Sequence, residues 1–176
     1  MALILGVDPG LTRCGFGVVD AGLKPIDFGL FQSAAGEDPR DRVGAIANQL
    51  EELIVRFKPD LIALERVFAQ ANLRSVMGVA QISGALMAAA YKHQVPLQFF
   101  TPSEVKLAVT GHGRAGKEQV GEMVTRILKL DEVPKPADVA DALAVAVCAH
   151  KRAIGVGTSA QQKWVAAAKA ANRRLG

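Results

Sequence analysis

The sequence predicts a mixed α/β fold, a sheet with helices packed on both of its faces. Three observations carry this. Short apolar strand-like runs come first, at Leu3 to Val7, Gly15 to Val19 and Ile26 to Phe31. Strand-like runs then alternate with segments of helical period, the order expected when helices cover a sheet. Apolar residues make up 50% of the 176, enough for a solid core in one domain and too few residues for two.

Each element has a local reason. Leu3 to Val7 is stopped by Asp8-Pro9-Gly10, which reads as a buried strand entering a tight turn. Short turns containing Gly or Pro separate it from the next two strands, so the three form an antiparallel meander. From Pro39 to Phe57 the period lengthens: Val43, Ile46, Leu50, Leu53, Ile54 and Phe57 make a helical stripe that Lys58-Pro59 ends. Leu61 to Leu64 is a continuous apolar run with Glu65 at its end, as in a strand covered on both faces. A helix over Leu73 to Tyr91, a short strand over Val95 to Phe100 and a short helix over Pro102 to Val109 follow. Gly111 to Gly116 reads as a flexible basic loop and Lys117 to Leu130 as a helix. The stretch around Pro134 and Pro136 is a linker, and Ala137 to His150 is a core helix. Gly155 to Ser159 breaks the pattern before an alanine-rich, basic segment. The expected division is a folded domain over 1–150 and a basic, partly flexible tail over 151–176.

Composition narrows the function. No apolar run approaches the roughly 20 residues that cross a bilayer, and the N-terminus shows no charged leader or cleavage site. A cytoplasmic location is expected. Cys14 and Cys148 belong to no metal-type or redox-type spacing and read as small buried residues in a reducing cytosol. His93, His112 and His150 show no ligand spacing either, which argues against zinc. The net charge of +4 is unevenly placed. No Asp or Glu follows Asp141, while Lys151, Arg152, Lys163, Lys169, Arg173 and Arg174 supply +6, leaving −2 for the rest. A near-neutral body with a basic tail means that any DNA groove is made by local clustering of Lys and Arg; the alternative is a tail that only aids solubility.

Four acids are the candidate chemistry. Asp8 directly follows a buried strand, at the sheet edge where ligands bind in open α/β sheets, although Asp-Pro-Gly is also ordinary turn sequence. Glu65 repeats the arrangement and, alone, would pass for a solvated strand-end acid. Asp138 and Asp141 are three residues apart, so at about 100° per residue they share one helix face. Asp138 also suits the first-turn position that complements a helix dipole. Asp141 lies among Ala140, Ala142, Leu143, Ala144 and Val145, where an unpartnered acid is costly. If the four converge, their mutual repulsion raises their proton affinity unless a cation binds. All-oxygen ligands select hard ions, Mg²⁺ or Mn²⁺. Two such ions, typically about 3.5–4 Å apart, can activate a water and stabilise the leaving oxygen of a phosphodiester.

Gly111 to Lys117 has the spacing of a phosphate-binding P-loop, but Glu118 stands where the motif needs Ser or Thr, and a helix precedes it in place of a strand. A loop presenting Arg114 and Lys117 to a nucleic-acid backbone suits the residues better. Phe68, flanked by polar and basic residues, reads either as a core aromatic or as an exposed ring that stacks on an unpaired base. Gly78, Ser83, Gly84, Ala85 and Ala88 allow close helix approach, to the sheet or to a second subunit.

Taken together, these motifs resemble the RuvC family of bacterial Holliday-junction resolvases. Gly6-Val7-Asp8-Pro9-Gly10 is similar to the family's opening motif and Leu64-Glu65-Arg66-Val67-Phe68 to its second. Gly111 to Val120 resembles its basic loop, and Ala137 to Ala144 its final acidic helix. The likeness runs in order from residue 1 to about His150. It implies a ribonuclease-H-like fold with a five-stranded sheet, three antiparallel strands then two parallel. It also implies a homodimer that nicks two symmetry-related strands of a four-way junction. Asp8, Glu65, Asp138 and Asp141 match the family's catalytic and metal-binding acids, with two Mg²⁺ or Mn²⁺ ions per subunit. Lys106 and Lys117 match basic residues near the scissile phosphate, and Phe68 matches the junction-stacking aromatic. The resemblance further implies work beside the branch-migration motor RuvA–RuvB, and nicks with 5′-phosphate and 3′-hydroxyl ends. Arg66 stands where members often carry a neutral amide.

Three rivals remain at this level. Actin-like ATPases and sugar kinases share a Gly-x-Asp-x-Gly opening but duplicate the domain, and this chain shows one copy. Other ribonuclease-H-like nucleases share the acids and differ in substrate geometry. A non-catalytic junction-binding protein could keep the fold.

Overall fold

The computed structural model describes residues 2–66 and 73–153. Phe68 and the tail beyond residue 153 lie outside them. The chain runs β1 (Leu3–Asp8), β2 (Arg13–Asp20), β3 (Pro25–Gln32), α1 (Pro39–Phe57), β4 (Leu61–Glu65) and α2 (Leu73–Lys92). It continues through β5 (Leu97–Phe100), α3 (Pro102–Thr110), α4 (Lys117–Leu128) and α5 (Ala137–Lys151). The sheet order is β3-β2-β1-β4-β5, with β1–β2 and β2–β3 antiparallel and β1–β4 and β4–β5 parallel. This is the expected mixed five-stranded sheet. β5 is shorter than expected because Val95 and Pro96 lie in the connection before it.

Helix ends follow their local chemistry. Asp38 caps α1 by accepting from the Arg40 amide with Pro39 at the first position, and Lys58 closes it in the left-handed conformation. Thr101 and Glu104 form a reciprocal capping box on α3. Gly111, with φ of 80°, closes α3 by donating its amide to the Leu107 carbonyl. The 111–116 loop, expected to be flexible, is pinned at Ala115, which is buried and donates its amide to the His112 carbonyl.

Strand alternation sorts the core into two layers. Leu5, Val7, Ile62 and Leu64 pack with Ile46, Leu50 and Ile54 of α1 and Ile82 and Leu86 of α2. Ile4, Val19 and Ala63 pack on the opposite face with Val105 of α3, Val124 of α4 and Leu143 and Val147 of α5. Each fully buried Leu, Ile or Val contributes roughly 1.5–3 kcal/mol. Because side chains alternate faces with period two, Asp8 follows Ile4 and Gly6, and Glu65 follows Leu61 and Ala63. Both acids therefore stand on the α5 side of the sheet.

Three glycines bring α5 close enough for this to matter. A methyl group at Gly6 would overlap the Ala142 carbonyl oxygen, and one at Gly15 would overlap that of Asp138. At Gly17 it would meet the Leu143 side chain at 2.5 Å. The helix thus lies directly on the β1–β2 backbone, at positions where any side chain would hold it away. Among the described residues no helix is long and apolar enough to cross a membrane. Cys14 and Cys148 are free and buried, as expected.

Candidate active site

The ends of β1 and β4 are neighbours: Val7 pairs with Leu64 in the parallel ladder, so the next residues, Asp8 and Glu65, leave the sheet side by side. Across the antiparallel ladder Asp8 pairs with Gly15, and Gly15 is the residue on which the Asp138 backbone rests. The first turn of α5 is thereby set against the edge from which Asp8 emerges. Asp138 and Asp141 are both partly buried, in the first turns of α5; every residue from Ala142 to His150 is buried.

The acids are close enough to act on one another's protonation. Burial pushes Asp8 up to about 8, with Glu65, Asp141 and Asp138 adding to the rise and Lys117 opposing it. Glu65 is pushed up to about 7 by burial and by Asp141, against the pull of Lys117 and Lys106. Asp141 is also raised by burial, with Lys117 opposing most strongly and Lys106 also opposing. Carboxylates held this way favour the proton for want of a stronger cation.

Two cations sit among them. Arg13 Nη2 lies 2.7 Å from Asp138 Oδ2, and Lys117 Nζ lies 3.6 Å from Asp141 Oδ2. Lys106 adds its charge at Glu65 and Asp141. Arg114 is exposed and is not among the charges felt by these acids. Among the described residues no three of the His, Cys, Asp and Glu side chains are grouped tightly enough to grip one ion. Arg13 and Lys117 instead occupy positions beside Asp138 and Asp141. The donor chemistry of the carboxylates nevertheless fits a hard divalent cation: oxygen ligands only, partly buried, with negative charge in excess.

Sequence reasoning missed Arg13, the glycine contacts and the buried Arg42. Arg42 Nε donates to Ser33 Oγ at 2.9 Å and its Nη2 donates to Thr12 Oγ1 at 2.8 Å. Ser33 Oγ in turn donates to the Leu11 carbonyl. The loop between Asp8 and Arg13 is fixed by this network. Its sequence signal is the Thr12-Arg13 pair, one residue beyond the Asp-Pro-Gly turn. Arg66 stacks over Phe99, 5.3 Å from the ring centroid, so its added charge is directed at β5.

The RuvC family model, described as crossover junction endodeoxyribonuclease RuvC, matches residues 4–150. A crossover junction endodeoxyribonuclease RuvC from Parafrankia sp. is 50% identical over 149 residues, 82% of this chain and 84% of the relative. The Saccharopolyspora erythraea protein of that name is 48% identical over 175 residues, 97% of this chain and 88% of its own. The structure of T. thermophilus RuvC in complex with Holliday junction substrate superposes with a TM-score of 0.82 at 36% identity, covering 88% of this chain and 97% of that one. A carboxylate cluster at the sheet edge, a basic helix start facing it and a match spanning both layers of the fold agree: the chain belongs to the crossover junction endodeoxyribonuclease RuvC family.

Proposed function

We propose that this chain is a divalent-metal-dependent endonuclease that resolves four-way DNA junctions by paired, symmetric nicks. The observation that carries the reading is the nearness of Asp8, Glu65 and Asp141, whose burial and mutual repulsion raise their proton affinity, with Asp138 adding its charge at Asp8 and Asp141. Asp8, Glu65, Asp138 and Asp141 would hold Mg²⁺ or Mn²⁺, with two ions per subunit as the family's pattern implies. Such ions, when bound, make a water nucleophilic and neutralise the leaving oxygen. The chain's own residues do the rest. Burial of Asp8 and Glu65 keeps their oxygens short of solvent partners and ready for a cation. Lys106 and Lys117, already near the acids, stabilise charge on the scissile phosphate. Arg114, exposed one turn before α4, meets the DNA backbone. Phe68, in the segment after β4, is the stacking aromatic in this reading.

Two equivalent nicks need two equivalent sites, which a twofold dimer supplies. The outer face of α2 suits that role. Met77, Ala80, Gly84, Met87 and Tyr91 are all exposed along it, and Tyr91 is 80% exposed. A stripe of small and apolar residues without an acid is what a close helix contact requires. The nuclease domain comprises 1–150 in this reading, followed in sequence by a basic tail over 151–176. The working partner implied by the family is the RuvA–RuvB motor, and the setting is the cytoplasm.

A cleavage assay tests this reading with three substrates supplied with Mg²⁺ or Mn²⁺: a synthetic four-way junction, a nicked duplex and an RNA–DNA hybrid. Symmetric nicking of the junction in preference to the others is expected. Preference for the hybrid would point to a different ribonuclease-H-like activity, and binding without cutting to a non-catalytic junction protein.

A further inference from the structure

Arg13 and Asp138 are held opposite one another from both sides. On the Asp138 side, the backbone carbonyl rests on Gly15, two residues beyond Arg13. On the Arg13 side, the preceding loop is tied down through Leu11 and Thr12. Arg42, 8% exposed, bonds Thr12 Oγ1 and Ser33 Oγ, and the Ser33 amide donates to the Thr12 carbonyl at 3.2 Å. Leu11 lies against Gly78 of α2, where a methyl would stand 2.8 Å from its Cβ. The guanidinium therefore meets the carboxylate at 2.7 Å as a consequence of the fold, and Asp138 has this cation as its ion-pair partner in the described residues.

We propose that Arg13 is a built-in counter-cation that competes with the divalent ion for Asp138 and sets the metal affinity of the free chain below that of the carboxylates alone. The inference rests on the reading of the four acids as a metal site. A monovalent guanidinium and a divalent ion cannot both stay close to Asp138 without mutual repulsion, so loading the site requires Arg13 to let go. Its side chain is 44% exposed, against 27% for Asp138, so it can leave toward solvent. There the anion best matched to a planar, multiply donating guanidinium is a nucleic-acid phosphate. DNA that accepts Arg13 frees Asp138, and by linkage metal and DNA then favour one another's binding.

Free Mn²⁺ gives a spin-resonance signal that disappears on binding, so affinity can be read on the full chain without turnover. Four proteins decide the matter: wild type, Arg13→Gln, Arg13→Lys and Asp8→Asn, each checked for folding by circular dichroism. Arg13→Gln should bind Mn²⁺ about three- to tenfold more tightly than wild type, and Arg13→Lys, which keeps the charge, should stay near wild type. Added linear duplex DNA should tighten wild type more than Arg13→Gln, narrowing the gap. If Asp8→Asn loses binding while Arg13→Gln binds no more tightly than wild type, the counter-cation role is overturned and the metal site stands. If the gap does not narrow with duplex, the coupling to DNA is overturned. If Asp8→Asn binds Mn²⁺ as wild type does, the metal reading itself fails.

Discussion

Gly15 and the backbone carbonyl of Asp138 are in direct contact, with no space between them for a methyl group. Since Gly15 is also the ladder partner of Asp8, this contact sets the distance between the sheet-borne acid and those on α5. Gly15→Ala should push the start of α5 away, lowering stability by about 1–3 kcal/mol. Junction nicking should fall by more than the stability change explains, since about 1 Å of misplacement can cost on the order of a hundredfold. Urea denaturation and nicking rate, measured together, check this. Wild-type values for both would remove the contact from the account.

Asp8 gives a signed pH dependence in metal-free protein. Its folded pKa of about 8 lies above its ordinary value of 3.8, so its contribution to stability is fully present below 3.8 and is lost as pH rises through about 8. Glu65 acts in the same direction between 4.5 and about 7. In the presence of a chelator, stability should therefore fall from pH 4 to pH 8 on account of these groups, by up to a few kcal/mol. Asp8→Asn should flatten the curve and be more stable than wild type at pH 8. Denaturant midpoints across this range provide the measurement, and an unchanged slope in the variant would count against the assignment.

Much of the candidate site was legible in the sequence because its acids are placed by local rules. Asp8 and Glu65 end apolar runs, and Asp138 and Asp141 share a helix face, so neither pair needs a tertiary contact to be noticed. The five strands were legible for the same reason, each apolar run being bounded by Gly or Pro. What brings the acids together was not. A glycine in a strand says that some backbone approaches, without saying which, and Gly6, Gly15 and Gly17 meet a helix more than a hundred residues away in sequence. The roles of Arg13 and Arg42 are equally non-local, since their partners lie on other elements. The nearness of Lys106 and Lys117 to the acids followed from family likeness, and the structure supplies its physical content: both lower the proton affinity of Glu65 and Asp141.

Arg42 is a buried cation satisfied by hydroxyl groups. Arg42→Met keeps the volume but removes the donor to Thr12 Oγ1 and leaves Ser33 Oγ with its bond to the Leu11 carbonyl, loosening the loop that joins Asp8 to Arg13. A loss of about 1–3 kcal/mol is expected. The conservative Arg42→Lys should recover only part of it, because a single ammonium cannot reproduce the two-nitrogen fork. Thermal denaturation of the two variants beside wild type is the check, and a neutral Arg42→Met would show the network to be incidental.

The exposed face of α2 makes the dimer testable. Met87 is 47% exposed, so Met87→Asp should leave the monomer folded while placing a charge in the proposed contact. Sedimentation should then report a monomer for Met87→Asp against a dimer for wild type, and paired nicking should become single nicking. A dimeric Met87→Asp protein would move the interface elsewhere.

The central claim is that Asp8, Glu65, Asp138 and Asp141 form one reactive centre. The most direct test is to compare nicking and binding of one synthetic four-way junction by wild type, Asp8→Asn and Asp141→Asn, with Mg²⁺ present. The account predicts junction binding by all three, with nicking reduced at least a hundredfold in both variants. Nicking by either variant at the wild-type rate would contradict it.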